Sequence, residues 1–295
     1  MKKKQVSVII PTFSRPDNLC RAIDCVLAQS YQPIEIIVVD DNGIGTNYQI
    51  ETENKIHSYI KDGTVKYLVH KTNKNGSAAR NTGFYASTGE YICFLDDDDI
   101  LDNSKIQKQV ECLEKHTPDY GACYCNSIIY NKRRTYHTHN QKEGNLCYDL
   151  LTGKIEFNTS TILFRRQVLI ELNGWDESFY RHQDWELMTR FFRNYKICIA
   201  NKKEYLVSKY ATPNVISKNP KRVIEYSNHF LRKMHDDIEK LSYPKMVYRA
   251  QAEMLSLNLM AAGEKKLGRK LFLKIFQYGL PSPIGCLKFI YYLIK

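Results

Sequence analysis

Four consecutive aspartates, Asp96 to Asp99, follow directly on the apolar run Ile92 to Leu95. Carboxylates this close together disfavour one another's ionisation, so a cation is normally needed to offset the repulsion. Carboxylate oxygens suit a divalent metal that keeps several waters and shares the phosphate oxygens of a substrate. A solvated acidic loop is the alternative, but such loops seldom follow a buried strand so abruptly. The segment therefore predicts a divalent-metal site at the end of a strand.

The elements that position this segment can be inferred from hydrophobic periodicity. Apolar runs ending in polar or turn residues predict buried strands at residues 6–10, 34–39, 65–69 and 92–95. Helices with one apolar face are predicted between them, the first capped by Asp17. This alternation predicts an α/β fold of the Rossmann-like class, with a mostly parallel central sheet and helices on both faces.

Polar clusters follow three of these predicted strands. They are the segment from Pro11 to Arg15, the pair Asp40 and Asp41, and the four aspartates. In open parallel sheets ligands bind outside the carboxyl ends of the strands. We therefore expect the three clusters to converge on one crevice.

Composition and charge limit the classes of partner. The 295 residues include 43 Lys and Arg against 32 Asp and Glu, a net charge of +11 that implies anionic partners. No recognised nucleic-acid-binding module is present, so we expect no nucleic-acid partner. Nine cysteines without a secretory signal favour reduced thiols in a cytoplasmic protein. No run of 18 apolar residues occurs that would predict a membrane span.

Several segments together resemble a family 2 glycosyltransferase of the GT-A fold. They are VSVIIPTFSRPDNLCRAIDCVLAQSYQPIEIIVVDD, GSAARNTG, FLDDDDI and GWDESFYRHQDWELMTR, covering roughly residues 5 to 210 in the order typical of the family. The resemblance implies an inverting transfer of a hexose or amino sugar from a UDP-sugar to a hydroxyl of a glycan or lipid-linked acceptor in cell-surface polysaccharide synthesis. It also implies a divalent cation, Mn²⁺ or Mg²⁺.

The resemblance assigns the donor side of the site. Pro11, Thr12 and Phe13 would line the base, Arg15 would meet phosphate or base edges, and Asp41 would accept the N3–H of uracil. Arg80 would offer a bidentate fork to the diphosphate. The alternatives are a turn at Asp40–Gly43 and a surface charge at Arg80.

The aspartates fit the family pattern of Asp, any residue, Asp, Asp. By that alignment Asp96 contacts ribose or metal-bound water, and Asp98 is the metal ligand. Asp99 supports the site without contacting the metal. Asp97 falls at the variable position of this pattern and is assigned to the residues that bind the nucleotide sugar. The metal would neutralise the charge that builds on the departing diphosphate.

Asp184 falls where the family places its catalytic base, which takes the proton of the acceptor hydroxyl. The alternative is that Asp184 merely caps a helix. Gln183 departs from the Glu more often found before the base. Trp175, Asp176 and Gln183, with the segment Asn158 to Ser160, are candidate acceptor contacts, although Trp175 could equally be a core residue. Many relatives have a histidine near Lys209 to Thr212, where this chain has Tyr210, Ala211 and Thr212.

The region between these motifs offers further ligand types. The segment from Ala122 to Tyr130 is predicted as a strand with Cys123 and Cys125 on one face, a pair that could bind zinc but is better explained as buried thiols. The basic segment from Asn131 to Gly144 predicts an exposed hairpin or loop. It contains Lys132, Arg133, Arg134, His137 and His139.

We expect a catalytic domain over residues 1–213, with a nucleotide-sugar half of about 1–100 and an acceptor half of about 101–213. Residues 214–295 are predicted to be a helical region with a basic amphipathic tail, which favours peripheral binding to an anionic membrane at its cytoplasmic face. A tail packed on the catalytic domain is the alternative.

The sequence leaves two alternative functions. A sugar nucleotidyltransferase would share the sheet and metal, but its Gly-rich first loop is replaced here by Pro11 to Ser14. A nucleotide- or glycan-binding module with an inactive site is the non-enzymatic alternative, and the intact aspartates count against it.

Overall fold

The computed structural model describes residues 3–131, 134–210 and 219–294. The chain divides into two compact units. The first comprises Met1–Leu146 with Phe157–Thr212, and the second comprises Cys147–Glu156 with Pro213–Lys295. The predicted boundary between residues 213 and 214 lies outside the described residues, as do Lys132, Arg133, Ala211 and Thr212.

All strands of the described residues belong to the first unit. They are β1 (Val6–Thr12), β2 (Ile34–Asp40), β3 (Val65–Val69), β4 (Tyr91–Phe94), β5 (Asp99–Leu101), β6 (Tyr120–Tyr124), β7 (Asn126–Tyr130), β8 (Thr135–His137), β9 (Ile162–Arg165), β10 (Lys196–Ile199) and β11 (Tyr205–Tyr210).

The helices alternate with these strands and then continue alone. They are α1 (Pro16–Leu27), α2 (Asn47–Lys61), α3 (Gly76–Ala86), α4 (Lys105–Glu114), α5 (Cys147–Leu151), α6 (Arg166–Glu171), α7 (Gln183–Phe191), α8 (Pro220–Lys233), α9 (His235–Glu239), α10 (Pro244–Ala261), α11 (Lys265–Lys274) and α12 (Pro283–Ile294), with 3-10 turns at Thr159–Thr161 and Ile275–Gln277.

The main sheet has seven strands in the order β10-β6-β9-β4-β1-β2-β3. Strand β9 pairs antiparallel with both neighbours, and the remaining pairings of this sheet are parallel. The apolar runs that predicted the strands are its buried centre: Val8, Ile9 and Ile10 are all fully buried. The predicted fold class, a mostly parallel α/β sheet followed by C-terminal helices, is confirmed.

A second sheet has the order β5-β11-β7-β8. The segment predicted as one strand from Ala122 to Tyr130 is instead two strands, β6 and β7, in different sheets. The chain changes sheet at Cys125, whose backbone N–H donates to Thr161 O at 3.2 Å. Periodicity could not reveal this change because the run stays apolar through it.

Helix α1 begins differently from the prediction. Arg15 is the N-cap residue and Pro16 occupies the first turn, so Asp17 is inside the helix and is not its cap. Proline suits this position because its missing N–H is one that would have no partner within the helix. Leu19, Ile23 and Val26 then form the buried face of α1.

The second unit consists of helices α5 and α8–α12. Gln251 of α10 donates to Leu151 O of α5 at 2.6 Å, and the rings of Phe272 in α11 and Phe289 in α12 stack at 3.9 Å. Among the described residues, no helix combines the length and the low polarity that crossing a bilayer requires.

Candidate active site

The predicted convergence of strand ends is present in the first unit. Thr12 and Asp40 are register partners at the carboxyl ends of β1 and β2, and the backbone N–H of Asp41 donates to Thr12 O at 3.0 Å. Thr12 Oγ1 in turn donates to Asp97 Oδ2 at 2.7 Å. The first and third clusters are therefore joined by a buried hydrogen bond.

Asp41 is buried and holds the loop that follows β3. Its Oδ1 lies 2.6 Å from His70 Nδ1 and accepts the backbone N–H of Lys74 at 2.8 Å, while Oδ2 accepts from Asn73 Nδ2 at 2.8 Å. Asp40 accepts from Tyr67 Oη at 2.6 Å. Asp40 and Asp41 therefore make contacts with distant segments as well as with the turn at Asp40–Gly43 that the sequence offered as the alternative. The sequence did not indicate His70 or Asn73.

Each of the four aspartates contacts a cationic or hydroxyl group. Arg15 bridges Asp97, at 2.9 Å, and Asp98. Arg80 Nη2 donates to Asp96 Oδ1 at 2.8 Å. Asp99 pairs with Lys209 and accepts a hydrogen bond from Ser160 Oγ. The repulsion expected within the acidic segment is thus offset by Arg15, Arg80 and Lys209.

Lys209 is a site residue that the motifs missed. It lies in β11 as the cross-strand partner of Asp99 in β5, with its side chain only 16% exposed. Its Nζ also approaches Asp96 Oδ2 at 3.8 Å. The available signal was a lysine that follows the apolar pair Leu206 and Val207, but its partner depends on pairing across more than 100 residues of sequence.

The cations do not affect all the aspartates equally. Burial acts to raise the pKa of Asp96, but Arg80 and Lys209 outweigh it and the pKa is lowered. Burial raises the pKa of Asp97 to about 7 and that of Asp99 to about 6, against the opposing effects of Arg15 and Lys209 respectively. Asp96 is therefore the member held ionised, whereas Asp97 and Asp99 retain protons more readily than ordinary carboxyls.

Arg80 is buried, so the surface-charge alternative is wrong. Besides Asp96 it donates through Nη1 to Gln183 Oε1 at 2.8 Å, and its guanidinium lies 4.9 Å from the ring centroid of Trp175. Gly76 makes room for it, because a Cβ there would lie 3.0 Å from Arg80 Nη1.

Asp184 lies in the first turn of α7, and the residue that caps this helix is His182. His182 is in the left-handed region, at φ 60°. Asp184 Oδ1 accepts from Thr159 Oγ1 at 2.6 Å. Burial raises the pKa of Asp184, against the lowering effects of Arg80 and the Thr159 hydrogen bond.

The remaining candidates take different positions. Gln183 joins Arg80 to Phe179 O, to which its Nε2 donates at 2.8 Å. Trp175 is 4% exposed and packs edge-on against Phe94, so it is a core residue. Asp176 accepts the backbone N–H of Ser178 in an exposed turn.

Where the nucleobase is expected to bind, Phe13 is 48% exposed and Pro11 is partly exposed. Thr159 and Ser160, named above as acceptor candidates, instead hold Asp184 and Asp99.

Several buried donors of these segments have no hydrogen-bond partner. They are Asn42 Nδ2, Ser77 Oγ, Arg80 Nε and Trp175 Nε1. A buried donor without an acceptor costs about 1–3 kcal/mol, so each such group needs an explanation. Of the four, Arg80 Nε belongs to the side chain that the family resemblance assigns to the diphosphate, whose oxygens would supply the missing acceptor.

The donor set also fits a divalent cation. Within the described residues five carboxylates, Asp96–Asp99 and Asp184, surround three cationic side chains, Arg15, Arg80 and Lys209. No three carboxylates of the described residues bring their oxygens within 4.8 Å of one another. A cation here would therefore take one or two protein ligands and complete its shell with water and phosphate oxygens.

Comparison with known proteins identifies the family. The profile described as "Glycosyl transferase family 2" matches residues 7–173. The chain belongs to glycosyl transferase family 2. The match includes the β1 end, Arg80 and all four aspartates, and it ends before Asp184.

Two named relatives extend this comparison. Amylovoran biosynthesis glycosyltransferase AmsB of Erwinia amylovora is 29% identical over 201 residues, covering 64% of each chain. Poly(ribitol-phosphate) beta-N-acetylglucosaminyltransferase TarP of Staphylococcus aureus is 27% identical over 283 residues, covering 89% of this chain and 81% of TarP. This chain spans less than two thirds of the length of AmsB, and 45% of a Haemophilus influenzae relative that is 39% identical over 117 residues.

Solved structures share the fold. Residues 1–349 of S. aureus TarS in complex with UDP-GlcNAc align with a TM-score of 0.65 at 14% identity, over 98% of this chain and 89% of that one. The Pyrobaculum calidifontis mannosyltransferase PcManGT with GDP-Man and Mn²⁺ aligns with a TM-score of 0.60 at 16% identity, over 99% and 86%. At these identities the likeness shows the fold alone.

Proposed function

We propose that this protein is an inverting glycosyltransferase that moves a hexose or amino sugar from a UDP-sugar to a hydroxyl of a glycan or lipid-linked acceptor in cell-surface polysaccharide synthesis. The observation that carries the proposal is the position of Arg80. It contacts Asp96 of the acidic segment and Gln183, the residue next to Asp184. A donor diphosphate held at Arg80 would thus lie close to a carboxylate able to act as base.

The residues divide into those that would bind the UDP-sugar donor and those that would position the catalytic base. Arg80 would bind the diphosphate through a fork that Gln183 and Asp96 hold in place. Pro11, Thr12 and Phe13 would flank the uracil, and Asp41 would accept its N3–H. Asp97 and Arg15 would fix the floor of this subsite through their contacts with Thr12 and Asp98.

Asp184 would remove the proton of the acceptor hydroxyl as its oxygen attacks the anomeric carbon from the face opposite the diphosphate, which inverts that centre. A carboxylate with a raised pKa is a stronger base than an ordinary one. Thr159 holds the carboxylate in position through its hydrogen bond to Oδ1.

We infer that Asp98 would hold a divalent cation, Mn²⁺ or Mg²⁺, with Asp96 on the donor side of it. Asp99 would support Asp96 through Ser160 and Lys209, which contact both aspartates. When bound, the cation would neutralise charge on the leaving diphosphate. Support comes from the excess of carboxylates over cationic side chains described above and from the Mn²⁺ named with PcManGT.

The UDP-sugar assignment is supported by the TarS structure with UDP-GlcNAc and by TarP, whose name describes N-acetylglucosamine transfer. Support for a polysaccharide acceptor comes from AmsB, which is named for amylovoran biosynthesis. The GDP-Man named with PcManGT makes GDP-sugars the donor to test beside UDP-sugars.

Asp184 provides the direct test of activity. Replacing Asp184→Asn keeps the shape and the Thr159 contact but removes the base, so transfer should fall roughly 10²–10⁴-fold. UDP release from a panel of UDP-sugars with a polysaccharide acceptor fraction measures this, and UDP affinity should stay within about twofold of wild type. Unchanged turnover in the Asn variant would disprove the assigned role, and lost UDP affinity would show a structural one.

We also propose that the second unit binds an anionic membrane, which would place the enzyme at the cytoplasmic face beside a lipid-linked acceptor. In α12, Ile284, Leu287 and Ile290 are each at least half exposed. Exposed basic residues occur in the same unit: Lys266, Arg269, Lys270, Lys274 and Lys288. Exposed apolar groups beside cationic ones are typical of helices that lie in a bilayer interface.

Vesicle sedimentation tests this membrane proposal. The variant Leu287→Ser with Ile290→Ser should bind phosphatidylglycerol vesicles several-fold less than wild type, because it removes exposed apolar area that would enter the bilayer. The variant Tyr243→Ser, at an exposed aromatic residue outside α12, is the matched control. Equal sedimentation of all three proteins would contradict the proposal.

A further inference from the structure

Three thiols from separate elements converge in the first unit. Cys112, Cys123 and Cys198 come from α4, β6 and β10, and their sulfur atoms all lie within 4.8 Å of one another. In the described part of the chain they are the one group of three or more metal-ligand side chains gathered this closely. The sequence suggested Cys123 with Cys125, but the structure brings Cys123 to two other cysteines.

The sheet explains why two of these thiols meet. Cys123 and Cys198 are register partners on the adjacent parallel strands β6 and β10, so both side chains point to the same face. Helix α4 covers that face. Gln109 of α4 fixes it there by donating to Cys123 O and Thr161 O, both at 2.9 Å.

The third thiol is brought in by this helix. Cys112 lies one turn beyond Gln109, and its Sγ contacts Ile199 O at 3.6 Å. Cys123 and Cys198 are completely buried, whereas Cys112 is partly exposed and gives the cluster an entry path. His116 lies beside it, with Nδ1 4.0 Å from Cys112 Sγ and 2.8 Å from Cys112 O.

Other buried cysteines of the same core do not form such a cluster. Cys125 Sγ points to Thr161 O at 3.5 Å, and Cys93 Sγ accepts from Lys105 Nζ at 3.1 Å. The convergence of three thiols is therefore specific to Cys112, Cys123 and Cys198.

We propose that Cys112, Cys123 and Cys198 form a binding site for a thiophilic cation of the zinc or copper(I) class. Zinc–sulfur bonds of about 2.3 Å place thiolates roughly 3.8 Å apart, so the observed sulfurs need to move by about 1 Å or less. Soft thiolates select such ions over Mg²⁺ and Mn²⁺. The site is thus chemically distinct from the aspartate cluster, and binding releases the thiol protons to solvent.

Such an ion would join α4 to the β6–β10 edge of the main sheet. It would act on the stability of the first unit, since a cation that binds the folded state preferentially stabilises it.

Metal titration of the full-length reduced protein tests the proposal. Zn²⁺ and Cu⁺ are titrated separately against chromophoric competitors, and Cd²⁺ serves as a probe whose sulfur charge-transfer absorption reports thiolate ligation. We expect at least one of these three ions to bind tightly with a stoichiometry of one per chain and to raise the unfolding temperature. Bound Cd²⁺ should also give the sulfur charge-transfer band. Mg²⁺ and Mn²⁺ should produce neither the absorption band nor competition for the site.

Serine variants locate the site. Cys112→Ser and Cys198→Ser should each weaken binding by about 100-fold, since removal even of groups that only orient a ligand costs 10–100-fold. Cys125→Ser, a buried control, should bind as wild type does. Far-ultraviolet circular dichroism and UDP affinity confirm folding independently of the metal.

Failure to bind any of the three thiophilic ions, or equal binding by wild type and Cys112→Ser, would overturn the proposal. Either result would leave the glycosyltransferase proposal intact.

Discussion

At the residue scale, the candidate site consists of carboxylates whose charges are partly offset by cationic side chains from distant segments. Arg15 and Arg80 could be placed from the sequence because they lie within motifs that follow strands. The contacts of Asp41 with His70 and of Asp184 with Thr159 could not, because both depend on how separate loops meet at the sheet edge. Sequence patterns therefore identified the aspartates and both arginines of the site, but they missed Lys209 and most of the groups that orient the charged side chains.

Asp97 should make stability depend on pH. Its pKa is raised by burial to about 7, so between pH 4 and 7 the folded state binds more protons than the unfolded one. Its contribution to the free energy of unfolding therefore falls as pH rises through this window, with a slope of at most about 1.4 kcal/mol per pH unit. Asp97→Asn removes this pH-dependent contribution, so the stability of the variant relative to wild type should increase with pH.

Urea unfolding of metal-free protein at pH 5 and pH 8 measures this difference. Asp236→Asn, at an exposed position in α9, is the control and should show the same difference from wild type at both pH values. A relative stability of Asp97→Asn that stays constant or falls with pH would contradict the assigned burial effect.

Gly76 should be required for donor binding. A Cβ at this position would lie 3.0 Å from Arg80 Nη1 and 3.2 Å from Gln183 Oε1, so Gly76→Ala requires the fork to shift by a few tenths of an ångström. We expect about a tenfold weaker UDP affinity, equivalent to roughly 1.4 kcal/mol, with little change in unfolding temperature. Isothermal titration with UDP measures the effect, and an unchanged dissociation constant would contradict the requirement for glycine at this position.

At the element scale, the parallel strands were predictable because each is a short apolar run ending in polar residues. The second sheet was not, because β5 is three residues long and its pairing with β11 joins distant parts of the chain. The same pairing places Lys209 opposite Asp99. Residues supplied by short strands with long-range partners are the part of this site that local patterns cannot reveal.

Helix α3 should depend on a glycine for its close packing on β1. A Cβ at Gly83 would lie 2.3 Å from Ile9 Cγ2, in the fully buried core. Gly83→Ala should therefore destabilise the fold by about 1–3 kcal/mol despite the better helix propensity of alanine.

A double-mutant cycle separates this clash from other effects. Ile9→Ala removes the methyl group that Gly83→Ala would meet, so the double variant should lose less stability than the sum of the single variants. Chemical unfolding measures all four proteins. Strictly additive losses would show that Ile9 is not what the new methyl group meets.

At the scale of the whole molecule, we propose that one edge of the first unit binds a nucleoside diphosphate sugar. The net charge of +11 indicated anionic partners, and the three cations among the aspartates give part of that charge a defined place. Fold class followed from the strand and helix alternation. The nucleotide cannot be read from that alternation, because it depends on the side chains that line the base.

The most direct measurement is the shift in unfolding temperature of the full chain with UDP, GDP, CDP, dTDP and ADP, each with and without Mn²⁺. A ligand that binds the folded state raises this temperature according to its affinity. We predict the largest shift with UDP and Mn²⁺, reduced in Asp98→Ala and retained in Asp184→Asn. An equal response to all five nucleotides, or none to UDP, would contradict the assignment of this edge as a UDP-sugar site.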